Sequence, residues 1–69
     1  MKMFMIEVEK AGVRGWLDDA LKFTAHQDRA ALPTKQTFAL NNFETAKADD
    51  HELTLVKIWS ADEKFVAVS

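Results

Sequence analysis

Cysteine and tyrosine are absent from this chain of 69 residues, which has one proline and two glycines. Without cysteine there is no disulfide, thiolate nucleophile or cysteine-ligated zinc, and a reducing compartment is the natural setting. The apolar run over residues 3–6 ends at Glu7, so it is too short for a signal-peptide core or a membrane span. We therefore expect a cytoplasmic protein with no membrane partner.

Neither sign of charge is in large excess, because nine basic and eleven acidic residues leave a net charge of -2. A chain without an excess of lysine and arginine lacks a broad basic surface, so direct nucleic-acid binding is not the expected main activity. At 48% hydrophobic and 29% charged residues, the composition is typical of a folded globular protein. The length predicts a single domain over residues 1–69.

The N-terminal part of the chain has the pattern of a β-hairpin. Residues 3–10 alternate with a period of two, which predicts a half-buried strand. Ala11-Gly12 is a candidate tight turn, because glycine tolerates a positive φ. Residues 13–17 can then return antiparallel to the first strand. The two faces of the first strand are predicted to carry Phe4, Ile6 and Val8 on one side and Met5, Glu7 and Glu9 on the other.

The middle of the chain is ambiguous over residues 16–32. Trp16, Leu17, Ala20 and Leu21 fit one face of a helix, whereas Asp18-Asp19 also fits a turn that is followed by a short extended piece over residues 21–24. We favour the turn. A helix is predicted over residues 35–48, with Thr34 as its N-cap. Its apolar stripe consists of Phe38, Ala39, Phe43 and Ala46.

The C-terminal part predicts a second hairpin, and residues 53–59 carry the strongest strand pattern. We expect that strand to be central and to pair, after a turn over residues 60–63, with a closing strand over residues 65–68. Its predicted faces are Leu53, Leu55 and Trp59 on one side and Val56 and Ile58 on the other. The predicted fold is α+β: one antiparallel sheet of four or five strands with one helix packed on one face, in the order β-β-(β)-α-β-β.

No pattern in the chain predicts catalysis or a cofactor. The run Asp49-Asp50-His51-Glu52 has metal-ligating side chains, but four adjacent residues at the end of a helix cannot all point at one ion, and we interpret the run as a turn. His26 is isolated and is assigned to a loop. Nucleophilic catalysis needs an activated Ser, Thr or Cys, and the two serines lie in a predicted turn and at residue 69. We expect a protein that is not an enzyme.

Acidic residues cluster near the end of the predicted helix. Residues 44–52 contain four acids and one lysine, a local charge of -3, whereas the rest of the chain sums to +1. Asp49 and Asp50 also lie at the negative end of the helix dipole, where added anions are destabilising. Acidic turns are common on small soluble proteins. The alternative is an anionic surface that contacts a basic partner.

The two tryptophans also allow two interpretations. Trp16 next to a turn and Trp59 at a strand end fit core residues whose indole N–H groups lie at the rim. Tryptophan is also enriched at the centres of protein interfaces, so either residue could anchor a partner.

A set of short motifs over residues 3–59 resembles small proteins of phages and mobile elements: Gly15-Trp16-Leu17, Lys22-Phe23-Thr24, Asp28-Arg29-Ala30, and Thr34 with Ala39. In those proteins a hairpin ends in a Gly-Trp strand, and a Phe-Thr step, a helix and a last strand or hairpin follow. Leu32-Pro33 stands where they have an aromatic residue. The arrangement is similar to several anti-CRISPR proteins, which are tiny, cysteine-poor and slightly acidic. The resemblance implies a stoichiometric inhibitor in the cytoplasm of a bacterial host.

These observations predict a phage-encoded, non-enzymatic anti-CRISPR protein. It would bind the basic surface of a Cas effector complex and block target DNA binding through an acidic, DNA-mimicking surface, as a monomer or weak dimer. The predicted partner-binding residues are Asp18, Asp19, Glu44, Asp49, Asp50, Glu52, Trp16 and Trp59.

Two alternatives belong to other classes of protein. One is a nucleic-acid-binding or transcription-modulating module, with cations on a sheet face. The other is a structural accessory subunit that assembles through an exposed strand edge. The cations of the first alternative are Lys2, Lys10, Arg14, Lys22 and Lys57.

Overall fold

The computed structural model describes residues 3–60, which fold into one helix and a four-stranded antiparallel sheet. The strands are β1 (Phe4–Lys10), β2 (Val13–Leu17), β3 (Phe23–Thr24) and β4 (Leu53–Ser60), and the helix α1 spans Gln36–Asp49. The strand order is β3-β2-β1-β4. The α+β prediction is confirmed. Within residues 3–60, β4 pairs on one side only, with β1, and the predicted closing strand over residues 65–68 lies outside the described residues.

The first hairpin forms where the sequence predicts it. β1 and β2 pair with Lys10 opposite Val13, so Ala11 and Gly12 form a two-residue turn. Both have positive φ, 52° at Ala11 and 82° at Gly12. Turns with two positive φ angles have the twist that suits a two-residue hairpin, and glycine adopts that conformation without steric cost.

The core lies between one sheet face and α1. Ile6, Val8, Leu17 and Leu53 are the largest fully buried side chains, and Ala39 and Ala46 of the helix pack against them. The two alanines let the helix backbone approach the sheet closely. The predicted core face of β1, with Phe4, Ile6 and Val8, is therefore confirmed; the same face carries the partly buried side chains of Leu21, Phe23, Phe43, Leu55 and Ile58.

The predicted faces of β4 are wrong beyond Leu55. The register with β1 shifts between Glu7 and Val8, which pair with Lys57 and Leu55, so Val56 is an extra residue in β4. Such a bulge reverses which residues point to each face along the rest of the strand. Ile58 consequently joins the core, and Trp59 lies on the opposite face, paired with Met5.

The helix occupies residues 36–49, within one residue of the prediction at each end, but two details differ. Its N-cap is Lys35 rather than Thr34, and no side chain caps its first N–H groups. Phe38 is 48% exposed, because the buried stripe runs through Ala39 and Ala46 and Phe38 lies beside it. The Lys35 ammonium lies 5.5 Å from the centre of the Phe38 ring, a cation–π contact that partly shields the exposed ring.

The ambiguous middle segment contains a turn, and the favoured prediction is confirmed. The turn follows Asp18 and leads into β3, and Gln27–Arg29 then forms a single 3-10 turn. Leu21 has a φ of 61°, which is strained for a leucine, and its side chain packs against the core. The segment after the 3-10 turn is fixed to the sheet by two backbone bonds, from the N–H of Ala31 to the carbonyl of Leu17 and from the N–H of Phe4 to that of Pro33.

Candidate partner-binding surfaces

The structure gathers most of the predicted acidic residues at one end of the molecule, which we call the acidic end. It consists of the last turns of α1 and the α1–β4 turn, and it contains Glu44, Asp49, Asp50 and Glu52. Asp18 and Asp19 lie elsewhere. Lys10 pairs with Val13 at the start of β2 and with Leu53 beside the α1–β4 turn, whereas the β2–β3 turn follows Leu17 at the other end of β2.

Asp50 has a structural role that the sequence analysis missed. Its Oδ2 lies 2.6 Å from Lys10 Nζ, and its Oδ1 accepts a hydrogen bond from the N–H of Glu52 at 3.1 Å. The hydrogen bond from Lys10 lowers the pKa of the Asp50 carboxyl, and the same bond raises the pKa of Lys10. Asp50 therefore connects the end of α1 to β1, and its carboxylate is engaged within the fold.

Asp18 is likewise engaged within its own turn. Its Oδ1 accepts hydrogen bonds from the N–H groups of Ala20 and Lys22, both at 2.9 Å. Its backbone N–H donates to the carbonyl of Lys22, which closes the turn before β3. An aspartate that accepts from the next residues of its own turn is a common turn device. Its Oδ1 atom is therefore already engaged within the turn rather than available to a partner.

The other four predicted acids are exposed: Asp19 in the β2–β3 turn, and Glu44, Asp49 and Glu52 at the acidic end. In the part of the chain that the structure describes, no hydrogen bond or ion pair engages their carboxylates. Asp49 is the last residue of α1, where the helix dipole disfavours an anion. These four carboxylates are the ones available to a basic partner.

A groove of about 330 Å³ separates the helix end from the β2–β3 turn. One wall carries Asp49 and Asp50, and the other carries Lys22. Lys10, which pairs with Asp50, lies in the same groove. The apolar lining consists of Leu21, Phe23, Ala46 and Leu53. Because two cations and two anions line it, the groove itself carries no net charge.

Both tryptophans lie on the sheet face opposite α1, which we call the open face. Trp16 is paired with Glu7 and Trp59 with Met5, so all four side chains point away from the helix. Both indoles are half-buried. Neither tryptophan belongs to the core cluster between the sheet and α1; both lie on the opposite face, where Met5 is buried. The register places these residues on the open face: Met5, Glu7, Glu9, Arg14, Trp16, Thr24, Thr54, Lys57 and Trp59.

The centre of the open face is a network around Glu7. Trp59 Nε1 donates a hydrogen bond to Glu7 Oε1 at 2.8 Å, and Arg14 lies 3.7 Å from Glu7 Oε2. The Lys57 ammonium lies 4.1 Å from the centre of the Trp59 ring. Arg14 also lies 3.8 Å from Glu9. Glu7 is the residue that the sequence analysis missed here, since an alternating strand gives no sign of which acid meets an indole.

The cations of the nucleic-acid alternative do not share one surface. Arg14 and Lys57 lie on the open face, whereas Lys10 and Lys22 line the groove at the acidic end. Lys2 lies outside the described residues. The predicted five-residue basic surface is therefore wrong for at least two of its members.

Two further observations bear on the kind of site. Across residues 3–60, no three His, Asp or Glu side chains are grouped closely enough to hold a metal ion. The one helix of this part of the chain is neither long nor apolar enough to cross a membrane.

Comparisons with known proteins give no relatives for this arrangement. No protein-family model, no curated protein and no solved structure matches the chain.

Proposed function

We propose that this protein is a non-enzymatic binding protein whose acidic end occupies the basic surface of a partner in the bacterial cytoplasm. The observation that carries the proposal is the set of three exposed carboxylates at one end, on Glu44, Asp49 and Glu52. Asp49 in particular lies where the helix dipole makes an anion unfavourable, and no described side chain pairs with it. A cationic group of a partner would offset the unfavourable interaction between the Asp49 carboxylate and the helix dipole, and this gain would favour binding.

The partner class that we propose is a protein surface that normally binds DNA, and specifically that of a Cas effector complex. Carboxylates on the last turns of a helix and in the turn that follows it present negative charge to lysine and arginine side chains as phosphates do. The resemblance of the chain to anti-CRISPR proteins supports this choice over other DNA-binding partners. The mechanism needs no covalent step, because occupation of the basic surface alone blocks target DNA.

The structure decides which substitutions test the proposal. Reversal of Asp50 would break its contacts with Lys10 and Glu52 and would confuse loss of binding with loss of fold. The test variant is therefore Asp49→Lys/Glu52→Lys. The control is Asp19→Lys/Asp28→Lys, which changes the net charge by the same amount, from -2 to +2, at exposed residues outside the acidic end.

The experiment is capture from a bacterial lysate that contains a CRISPR system, with tagged wild-type and variant proteins as bait. We expect wild type and the control variant to capture a Cas effector subunit and Asp49→Lys/Glu52→Lys to lose it. Equal capture by the two variants would contradict the acidic end as the binding surface. Capture of no Cas subunit by the wild-type protein would contradict the proposed partner. Light scattering after size exclusion should show a monomer; a tight oligomer would favour a structural subunit instead.

A further inference from the structure

We propose that the open face is a second binding surface, and that it takes single-stranded nucleic acid by stacking bases on its tryptophans. This surface is separate from the acidic end and does not depend on the function proposed for it. The chemistry required is an aromatic platform with cations at its sides. The open face has two indoles, Trp16 and Trp59, with Arg14 and Lys57 beside them.

The two indoles are suitably placed along the sheet. Trp16 lies on β2 and Trp59 on β4, on either side of β1 and one row apart in register. With strands about 4.8 Å apart and residue pairs about 6.8 Å apart, their Cα atoms are separated by roughly 12 Å. The separation of the two tryptophans suits two bases of an extended single strand that are not adjacent in sequence. In a duplex the bases are paired and stacked on one another, so they cannot stack on the two indoles.

The open face carries two cations, Arg14 and Lys57, and two anions, Glu7 and Glu9, and the two cations are the more exposed residues. The side chain of Arg14 is 65% exposed, whereas that of Glu7 is 15% exposed and accepts the Trp59 indole N–H. The ion pairs from Arg14 to Glu7 and Glu9 are long, at 3.7 and 3.8 Å, so the guanidinium is only loosely held. Lys57 is exposed and lies over Trp59. Phosphates can therefore contact both cations while the Glu7 carboxylate stays hydrogen-bonded to the Trp59 indole N–H.

The proposal predicts weak dependence on salt. Two phosphate contacts on a single strand give a slope of log K against log salt of about -1.4. Base stacking must supply most of the affinity, because the four charged residues of the face sum to zero. Loss of one stacking side chain should lower affinity by about 5-fold to 100-fold.

The experiment titrates the purified protein with a single-stranded oligothymidylate of about twelve nucleotides, followed by tryptophan fluorescence at low salt. We expect quenching with wild type, a 5-fold or greater loss with Trp16→Leu, and retention with Trp16→Phe, which keeps a stacking ring. Circular dichroism of each variant reports its fold.

Two comparisons make the test decisive even if Trp16→Leu folds poorly. Arg14→Ala should weaken binding and reduce the salt slope by about 0.7, whereas Lys22→Ala, a lysine in the groove at the acidic end, should leave both unchanged. Absence of quenching by the wild-type protein would overturn the proposal. Equal losses from Arg14→Ala and Lys22→Ala, or equal binding of dextran sulfate, would also overturn it, because they would show attraction of polyanions without stacking.

Discussion

The indole N–H of Trp59 donates a hydrogen bond to the carboxylate of Glu7 at 2.8 Å, across 52 residues of sequence. The bond joins β1 to β4 on the open face, on the side of the sheet away from α1. It depends on the bulge at Val56, which moves Trp59 off the core face. One irregularity in one strand therefore determines which side chains the second face of the sheet presents.

We expect Glu7→Ala to lower the free energy of unfolding by about 1 kcal/mol, because it removes the acceptor of a part-buried hydrogen bond. Trp59→Phe should show an interaction energy with it of about 1 kcal/mol in a double-mutant cycle. Urea unfolding measured by circular dichroism provides the values. Glu9→Ala on the same strand, whose carboxylate has only a long contact with Arg14, is the control and should change stability by less than about 0.5 kcal/mol.

Gly15 lies at a position of the sheet that has no room for a side chain. A Cβ at this position would lie 2.4 Å from the carbonyl oxygen of Thr24 and 2.7 Å from the Phe23 ring. We expect Gly15→Ala to cost about 2 to 3 kcal/mol in chemical denaturation, since overpacking against backbone cannot relax by rotation of a side chain. Adding Phe23→Leu should not restore stability. Recovery in that double variant would show that the ring, and not the Thr24 carbonyl, is the obstacle.

The first hairpin can be stabilised at Ala11, which has a φ of 52°. Asparagine tolerates this left-handed conformation better than alanine and is favoured in two-residue hairpins. Ala11→Asn should raise the free energy of unfolding by about 0.5 to 1 kcal/mol. Ala25→Asn, at an exposed position without a positive φ, should change it by less than about 0.5 kcal/mol. Equal effects at the two positions in thermal unfolding would argue against the turn geometry.

The Lys10–Asp50 ion pair should make stability depend on pH in two windows. The pKa of Asp50 is lowered by the hydrogen bond from Lys10, so its contribution is complete above the unfolded pKa and is lost as pH falls through the lowered folded value. The pKa of Lys10 is raised by the same bond, so its contribution is complete below the unfolded pKa and is lost as pH rises through the raised folded value.

Asp50→Asn tests this directly, because asparagine keeps an oxygen for the Glu52 N–H but loses the charge. Melting temperatures across pH should show wild type above the variant between the two windows and converging with it in strong acid and strong base. Asp49→Asn, which removes an unpaired carboxylate from the same helix end, should show no such convergence.

The sequence alone predicted the elements that depend on local pattern. The first hairpin follows from period-two alternation and Ala11-Gly12, and the helix bounds follow from the apolar repeat of Ala39, Phe43 and Ala46. The bulge could not be predicted, because residues 53–59 alternate equally well without it, and the extra residue exists only relative to the pairing with β1.

In the candidate site, too, local features could be predicted from the sequence and long-range contacts could not. Acidic turns were predicted from composition, but the fate of each carboxylate depends on atoms that are distant in sequence. Asp50 meets Lys10, 40 positions away in the chain, and Asp18 accepts bonds only because its turn closes onto Lys22. Two of the six predicted acids therefore have partners within the fold, and four keep free carboxylates within the described residues.

The most direct test of the proposed function is a mobility-shift measurement of target DNA binding by a purified Cas effector complex against increasing amounts of this protein. We predict that wild type and Asp19→Lys/Asp28→Lys inhibit near one equivalent, while Asp49→Lys/Glu52→Lys needs at least about 10-fold more protein. Inhibition by that variant at the wild-type concentration, or DNA binding that is unaffected by the wild-type protein, would contradict it.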